Sequence, residues 1–98
     1  MPQDRPKLLP LDHEQAPKFW QYETSGVLKP VVIAYLEGTP LTDRDIAIMR
    51  AYLKQWVDSP VWSGPPIYAL RVNVRKIRSR DDINTWLEAA LDAGIDPL

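Results

Sequence analysis

Apolar residues recur at helical spacing through the middle of the chain. The clearest stripe consists of Ile46, Met49, Tyr52, Leu53, Trp56 and Val57. Steps of three and four residues place such side chains on one side of an α-helix. Thr42 stands where an N-cap is needed, Asp45 follows at the capping-box position, and the turn at Pro60 closes the pattern. This part of the chain therefore predicts an amphipathic helix.

A second apolar stripe precedes the first one along the chain. It consists of Val27, Leu28, Val31, Val32, Tyr35 and Leu36. Pro30 is expected in the first turn of this helix and Gly38 at its C-terminal cap. The β-branched residues 31–33 are also typical of a strand. The alternative is therefore a small β-hairpin around residues 19–36 within an α+β fold. We favour the helix because Pro30 would interrupt the hydrogen bonds of a strand.

The last third of the chain predicts two further helices. Over residues 66–78 the apolar positions Ile67, Leu70, Val74 and Ile77 fit a helix, although the alternation over 68–74 is equally typical of a strand. The final helix is expected to begin after Ser79 as its N-cap and to end at Gly94. Its predicted buried stripe consists of Ile83, Trp86, Leu87, Ala90 and Leu91.

Four short helices predict an all-α domain. The tight connection at residues 38–41 pairs the first two helices as an αα-hairpin, and the last two helices are expected to form another. A chain of 98 residues has room for one domain. Residues 1–18 are rich in proline, and this composition predicts an extended arm. The expected organisation is thus a Pro-rich arm at 1–18 followed by a single small helical domain at 19–98.

Composition excludes several classes of function. The 12 Lys plus Arg residues and 13 Asp plus Glu residues give a net charge of −1, so the chain lacks the broad basic field of many nucleic-acid-binding proteins. The absence of cysteine excludes disulfides and thiolate chemistry and is consistent with a cytoplasmic location. No apolar run approaches the ~20 residues that cross a bilayer, so we expect no membrane span.

Residue types that carry catalysis are sparse. His13 is the one histidine and lies in the proline-rich arm, whereas a metal site needs three or four ligands on rigid backbone. The acidic pairs Asp43/Asp45 and Asp81/Asp82 stand at predicted helix N-termini, where negative charge stabilises the helix dipole. Nothing in the sequence has the form of a glycine-rich phosphate loop. We expect no enzyme, no catalytic residue, no cofactor and no metal site.

Aromatic residues outside the helical stripes are candidate contacts for a partner. Trp20, Tyr22 and Trp62 fall in irregular segments, where each one either covers the core or projects as an exposed anchor. Tryptophan, tyrosine and arginine contribute most of the binding energy at protein interfaces. We therefore place these three aromatic residues among the candidate partner-binding residues.

A basic segment in the last third of the chain supplies the other candidates. It contains Arg71, Arg75, Lys76, Arg78 and Arg80 without an intervening acid. If 66–78 is one helix, Arg71, Arg75 and Arg78 line a common side of it, and Tyr68 adds a stacking ring. The structural alternative is that the arginines pair with Glu88 and Asp92 of the next helix, or complement the C-terminus of their own helix.

These observations predict a non-catalytic binding module. Its expected partner is another protein or a second copy of the chain, which would form a homo-oligomer. The alternative is an accessory nucleic-acid binder that uses the basic segment from Arg71 to Arg80, whose affinity would fall steeply with salt.

Overall fold

The computed structural model describes residues 25–98. They form four α-helices, α1 (Ser25–Leu36), α2 (Asp43–Val57), α3 (Pro65–Asn73) and α4 (Arg80–Asp92), with a 3₁₀ turn at Val74–Lys76. No strand occurs in this part of the chain, and the predicted all-α class is confirmed. The range of the β-hairpin alternative is helical from residue 25 onward. Its other part, residues 19–24, lies outside the described residues, as does the predicted arm at 1–18.

Helix α2 makes the most extensive packing contacts of the domain. It contacts α1, α3 and the 3₁₀ turn, while α4 packs against α3. Both predicted pairs of neighbouring helices are therefore present. The core contains apolar side chains of every helix and of the loop after α2, among them Val32, Met49, Leu53, Trp56, Trp62, Ile67, Val74, Ile83 and Trp86. Among the described residues, no polar or charged side chain is buried in this core.

The helix ends follow the predicted capping signals. The hydroxyl of Thr42 accepts a hydrogen bond from the backbone N–H of Asp45 at 3.1 Å, and the Asp45 carboxylate accepts one from the Thr42 N–H at 3.0 Å. This reciprocal pair is a complete capping box. Ser79 caps α4 through its hydroxyl. Gly38 and Gly94 adopt φ angles of 78° and 88°, the left-handed conformation that closes helices α1 and α4.

Helix α1 begins earlier than predicted. It starts at Ser25, so Pro30 lies in the second turn and not in the first. The missing N–H of a proline leaves the carbonyl four residues earlier without its helical partner. That carbonyl belongs to Gly26, which is exposed, so water can replace the lost hydrogen bond and the helix tolerates the proline.

Helix α3 ends earlier than predicted. The α-helix stops at Asn73 and the chain is extended at Ile77, with ψ at 123°. The Ile77 side chain is buried, while its carbonyl accepts a hydrogen bond from the Arg50 guanidinium at 2.8 Å. These two contacts hold residue 77 in a non-helical conformation. As a result, the predicted single helical side carrying Arg71, Arg75 and Arg78 does not exist.

The predicted apolar stripes are wider than the surfaces that the neighbouring helices cover. Val27 and Leu36 of α1 and Leu91 of α4 are exposed, although the sequence pattern placed them in buried stripes. Adjacent residues of a helix lie about 100° apart around its axis, so paired apolar positions need partners on two sides. Within residues 25–98, helix α1 packs extensively against α2 alone. The uncovered apolar side chains therefore remain at the surface.

Candidate partner-binding site

An apolar groove runs between the end of α1, the outer side of α4 and the last residues of the chain. Its volume of about 580 Å³ lies within the range of small-ligand and peptide pockets. The side chains that define it are Tyr35, Leu36, Leu87, Glu88, Leu91 and Leu98. Leu36 and Leu91 are 63% and 59% exposed. Leucines on opposite helices are thus presented to solvent in one concave surface.

Polar contacts join the beginning of α4 to the end of α1 at one end of the groove. The Tyr35 hydroxyl donates a hydrogen bond to Asn84 Oδ1, and the Arg80 guanidinium donates to the carbonyls of Ala34 and Thr39 at the end of α1. These contacts fix the first turns of α4 beside α1. Helices α1 and α4 have no extensive packing contact of their own, so the later α4 residues line an open space.

The chain terminus forms the third side of the groove. The hydroxyl of the buried Tyr52 donates a hydrogen bond to the carbonyl of Pro97, which attaches the C-terminal segment to α2. This attachment places Leu98 on the groove wall. Asp96 stands beside it, with its carboxylate accepting a hydrogen bond from the Leu98 N–H at 3.2 Å. The groove is consequently bounded by fixed backbone on all three sides.

The rim of the groove is acidic. Glu88 and Asp96 contribute carboxylates, and no lysine or arginine is among the described residues that line the surface. Glu88 forms no hydrogen bond or ion pair with any residue between 25 and 98. Asp92 is exposed one helical turn after Glu88. An apolar floor beside the Glu88 carboxylate, which has no ionic partner among residues 25–98, is suited to an apolar ligand that carries positive charge.

The ring of Tyr35 lies in the groove wall and its ionisation is perturbed. Burial raises the pKa of Tyr35 above its ordinary value of 10.0; the nearby Arg80 charge opposes that increase, and Glu88 adds to it. The Arg80 guanidinium carbon is 5.6 Å from the centre of the Tyr35 ring. The neutral phenol is therefore the favoured form of Tyr35 at this site.

Ionisation of Tyr35 is expected to weaken the fold at high pH. Because the folded-state pKa of Tyr35 exceeds its unfolded value near 10.0, the stabilisation is complete below that value and declines as the pH rises through the folded-state pKa. Urea midpoints of the native chain and of Tyr35→Phe between about pH 8 and pH 11 check this coupling. The native chain should lose more stability over this range. Parallel pH curves would show that Tyr35 ionisation is not coupled to folding.

Arg71 holds the end of α2 and the loop that follows it. Its guanidinium donates hydrogen bonds to the carbonyls of Val57, Ser59 and Trp62 at 2.8, 3.1 and 3.0 Å. An oxygen of the Asp58 carboxylate lies 3.9 Å from Arg71 Nε. The charge and the hydrogen-bond donors of Arg71 are thus used within the domain. Few of its donors are available to bind a partner.

The rest of the basic segment divides into bound and unbound side chains. Arg80 binds the carbonyls at the end of α1, and Arg78 donates to the carbonyls of Arg75 and Ile77 at 2.9 and 2.8 Å. Arg75 and Lys76 are exposed, and their side chains form no hydrogen bond or ion pair within residues 25–98. These two cations are the members of the predicted patch that are most available for binding.

The arginines serve helix ends and not the acids of α4. The predicted pairing with Glu88 and Asp92 does not occur between described residues. Two of the arginines do bind carbonyls at a helix C-terminus, but not at that of their own helix. Arg71 binds the end of α2, and Arg80 binds the end of α1. The reason is that the last carbonyls of a helix lack intrahelical donors, and arginine supplies several donors at once.

The predicted aromatic contact residues differ in their exposure to solvent. Trp62 is 1% exposed, its indole N–H donates to the Trp56 carbonyl at 2.9 Å, and the two ring centres are 4.7 Å apart. Trp62 therefore covers the core and offers no surface to a partner. Tyr68 is exposed on α3, 5.7 Å from the Arg71 guanidinium carbon. Trp20 and Tyr22 lie outside the described residues.

Residues 25–98 contain neither a candidate metal site nor a candidate membrane span. This part of the chain contains no group of three or more His, Cys, Asp or Glu side chains arranged to hold a metal ion. None of its helices has the length and apolar character needed to cross a membrane. His13 lies outside the described residues. Comparison with protein-family models, curated proteins and solved structures yields no match to this chain.

Proposed function

We propose that this domain is a non-catalytic protein-binding module whose α1–α4 groove takes an apolar segment flanked by basic residues. The observation that carries this proposal is the position of Leu36 and Leu91, two leucines that are more than half exposed in one groove that the Glu88 side chain also lines. An apolar centre with a polar rim is the common arrangement of protein interfaces.

Apolar burial and charge would contribute to binding in different ways. Covering Leu36, Leu87 and Leu91 removes apolar area from water, which is worth about 25 cal/mol per Å². The Glu88 carboxylate attracts basic partners and disfavours acidic ones, so it acts on partner choice and association rate more than on affinity. A short amphipathic helix that presents two or three apolar side chains in successive turns matches such a groove.

Selection from a random peptide library on the immobilised full chain tests the proposal. We expect enrichment of peptides that combine leucine or aromatic residues with lysine or arginine. Leu91→Asp should weaken the selected peptides at least about tenfold, because a carboxylate in the apolar centre must be desolvated on binding. Val72→Asp is the matched control, since Val72 is 54% exposed on α3 and lies outside the groove. Equal binding to Leu91→Asp, or selection of acidic peptides, would refute the proposal.

Accessory nucleic-acid binding is the alternative function. Arg75 and Lys76 favour it, because they are exposed cations without a partner among the described residues. The patch is smaller than the sequence predicts, since Arg71 and Arg80 are bound to backbone carbonyls. If the alternative holds, an oligonucleotide probe should bind with a log–log salt slope of about −2, and Arg75→Glu with Lys76→Glu should abolish binding. Our proposal predicts no such binding and unchanged peptide affinity in that variant.

Two further expectations stay predictions. A cytoplasmic location rests on the cysteine-free sequence. Self-association into a homo-oligomer rests on the exposed apolar and charged side chains of the domain.

A further inference from the structure

A second, smaller groove lies between the first turn of α1 and the outer side of α2. None of the side chains that line it carries a charge, and most of them are apolar: Val27, Leu28, Ile48, Ala51, Tyr52 and Gln55. The four α2 residues recur at steps of three and four, so they form one row along that helix. Val27 is 55% exposed, and Ala51 is exposed as well. This α1–α2 groove therefore presents apolar side chains that the packing of the two helices leaves uncovered.

The size of the α1–α2 groove limits its occupant to one or two side chains. Its volume is about 230 Å³, below the range of about 300–1,000 Å³ that is typical of small-ligand sites. A stable contact with a second folded copy requires about 800 Å² on each partner, which is more than six partly buried side chains supply. A groove of this size is instead suited to an aromatic ring that a nearby part of the chain brings to it.

The chain has an aromatic segment directly before α1. Residues 19–22 read Phe-Trp-Gln-Tyr and stand between the charged residues Lys18 and Glu23. Three of these four residues are aromatic and none is charged. The composition of the segment thus matches that of the groove, because no carboxylate or ammonium group has to leave water when the two come together.

The length of the connection allows the segment to reach the groove. Helix α1 begins at Ser25, and the groove begins two residues later, at Val27. Trp20 precedes Ser25 by five positions, so an extended chain allows its backbone a distance of up to about 18 Å from the start of α1. The α2 row from Ile48 to Gln55 spans about 10 Å. The whole groove is consequently within reach of the segment.

We propose that residues 19–22 of this chain dock into the α1–α2 groove and cover it with their aromatic rings. The short connection gives the segment an effective concentration in the millimolar range at the groove, which favours it over free peptides of similar affinity. In this arrangement Trp20 and Tyr22 cover the domain and are not contacts for a partner. The α1–α2 groove is separate from the α1–α4 groove, so this inference goes beyond the proposed function.

Acrylamide quenching of tryptophan fluorescence in the full chain tests the inference. Trp56, Trp62 and Trp86 are 0%, 1% and 3% exposed, so they are protected from the quencher and Trp20 determines the accessible fraction. If the segment is docked, the native chain should contain no readily quenched tryptophan. Trp20→Phe should then leave the accessible fraction unchanged.

Groove variants show where the segment docks. Ala51→Asp places a carboxylate in the middle of the α2 row, so it should release the segment and make one of the four tryptophans readily quenched. Adding Trp20→Phe to this variant should remove the quenched fraction. Gln55→Glu, which is nearly isosteric, is the second groove variant. Ala69→Asp is the matched control, because Ala69 is exposed on α3 and lies outside the groove. Circular dichroism confirms that each variant is helical.

Three outcomes would overturn the inference. A readily quenched fraction in the native chain that Trp20→Phe removes shows that the segment is exposed. Protection of Trp20 that survives both groove variants shows that the segment packs elsewhere. Protection that falls as the chain is diluted shows that the segment occupies the groove of a second copy. Each of these results is compatible with peptide binding at the α1–α4 groove, which Leu91→Asp tests separately, so failure here is distinct from failure of the proposed function.

Discussion

Trp62→Ala is expected to lower the free energy of unfolding by about 3–5 kcal/mol, the cost of removing a large buried aromatic side chain. Trp62 fills the space beside Trp56 and donates a hydrogen bond to its carbonyl. Because domains of this size have total stabilities of about 5–15 kcal/mol, the variant should be close to unfolding at ambient temperature. Urea denaturation followed by far-ultraviolet circular dichroism measures the loss.

Two companion variants separate the contributions at this position. Trp62→Phe keeps most of the ring packing and loses the indole donor, so we expect a loss of about 1–2 kcal/mol. Tyr68→Ala removes an exposed aromatic residue of the neighbouring helix and should change stability by less than about 1 kcal/mol. If Trp62→Ala were no more destabilising than Tyr68→Ala, the loop after α2 would not be packed on the core.

Arg71→Ala is expected to cost about 2–3 kcal/mol, since hydrogen bonds from a charged donor are worth more than neutral ones. The variant leaves the carbonyls of Val57, Ser59 and Trp62 without their shared donor. The loop that holds Trp62 then loses its attachment to α3. Thermal and urea unfolding of the full chain measure the change.

Two further variants show whether geometry or charge is responsible. Arg71→Lys keeps the charge but replaces the planar guanidinium with a single ammonium group. It should therefore recover less than half of the free energy of unfolding that Arg71→Ala loses. Arg75→Ala removes an arginine of the same segment that has no partner among the described residues and should lie within about 0.5 kcal/mol of the native chain. Equal effects at positions 71 and 75 would mean that the carbonyl contacts contribute nothing to stability.

Helices with local end signals could be predicted from the sequence. The capping box of Thr42 and Asp45, the Ser79 cap and the Gly94 ending all involve residues within five positions of each other. Interactions of such short range are encoded by neighbouring residues and are largely independent of the rest of the fold. For this reason α2 and α4 closely match the predicted helices.

The end of α3 and the roles of the arginines depend on distant contacts. Arg50 binds the carbonyl of Ile77, 27 positions away, and Arg80 binds the end of α1. One indication was present in the sequence: Asp58 and not a glycine follows the last residue of α2, so the last carbonyls of this helix need donors from elsewhere. The sequence does not state which arginine supplies them.

The groove cannot be predicted from the sequence, because the helical spacing assigns its leucines to the buried stripes. Leu36 and Leu91 satisfy the helical spacing, and spacing alone does not show how many neighbours a helix has. The stripe of α1 contains adjacent apolar pairs, which is wider than one partner helix covers. That excess width was the available signal that an apolar side of α1 would face a groove or another chain.

Amide chemical-shift mapping of the full chain against a selected peptide is the decisive measurement of where binding occurs. With a peptide that contains leucine and lysine, the shifts should concentrate at residues 35–36, 84–91 and 96–98, and Leu91→Asp should remove them. Shifts confined to Tyr68, Arg75 and Lys76, or shifts that persist in Leu91→Asp, would show that the groove is not the binding site.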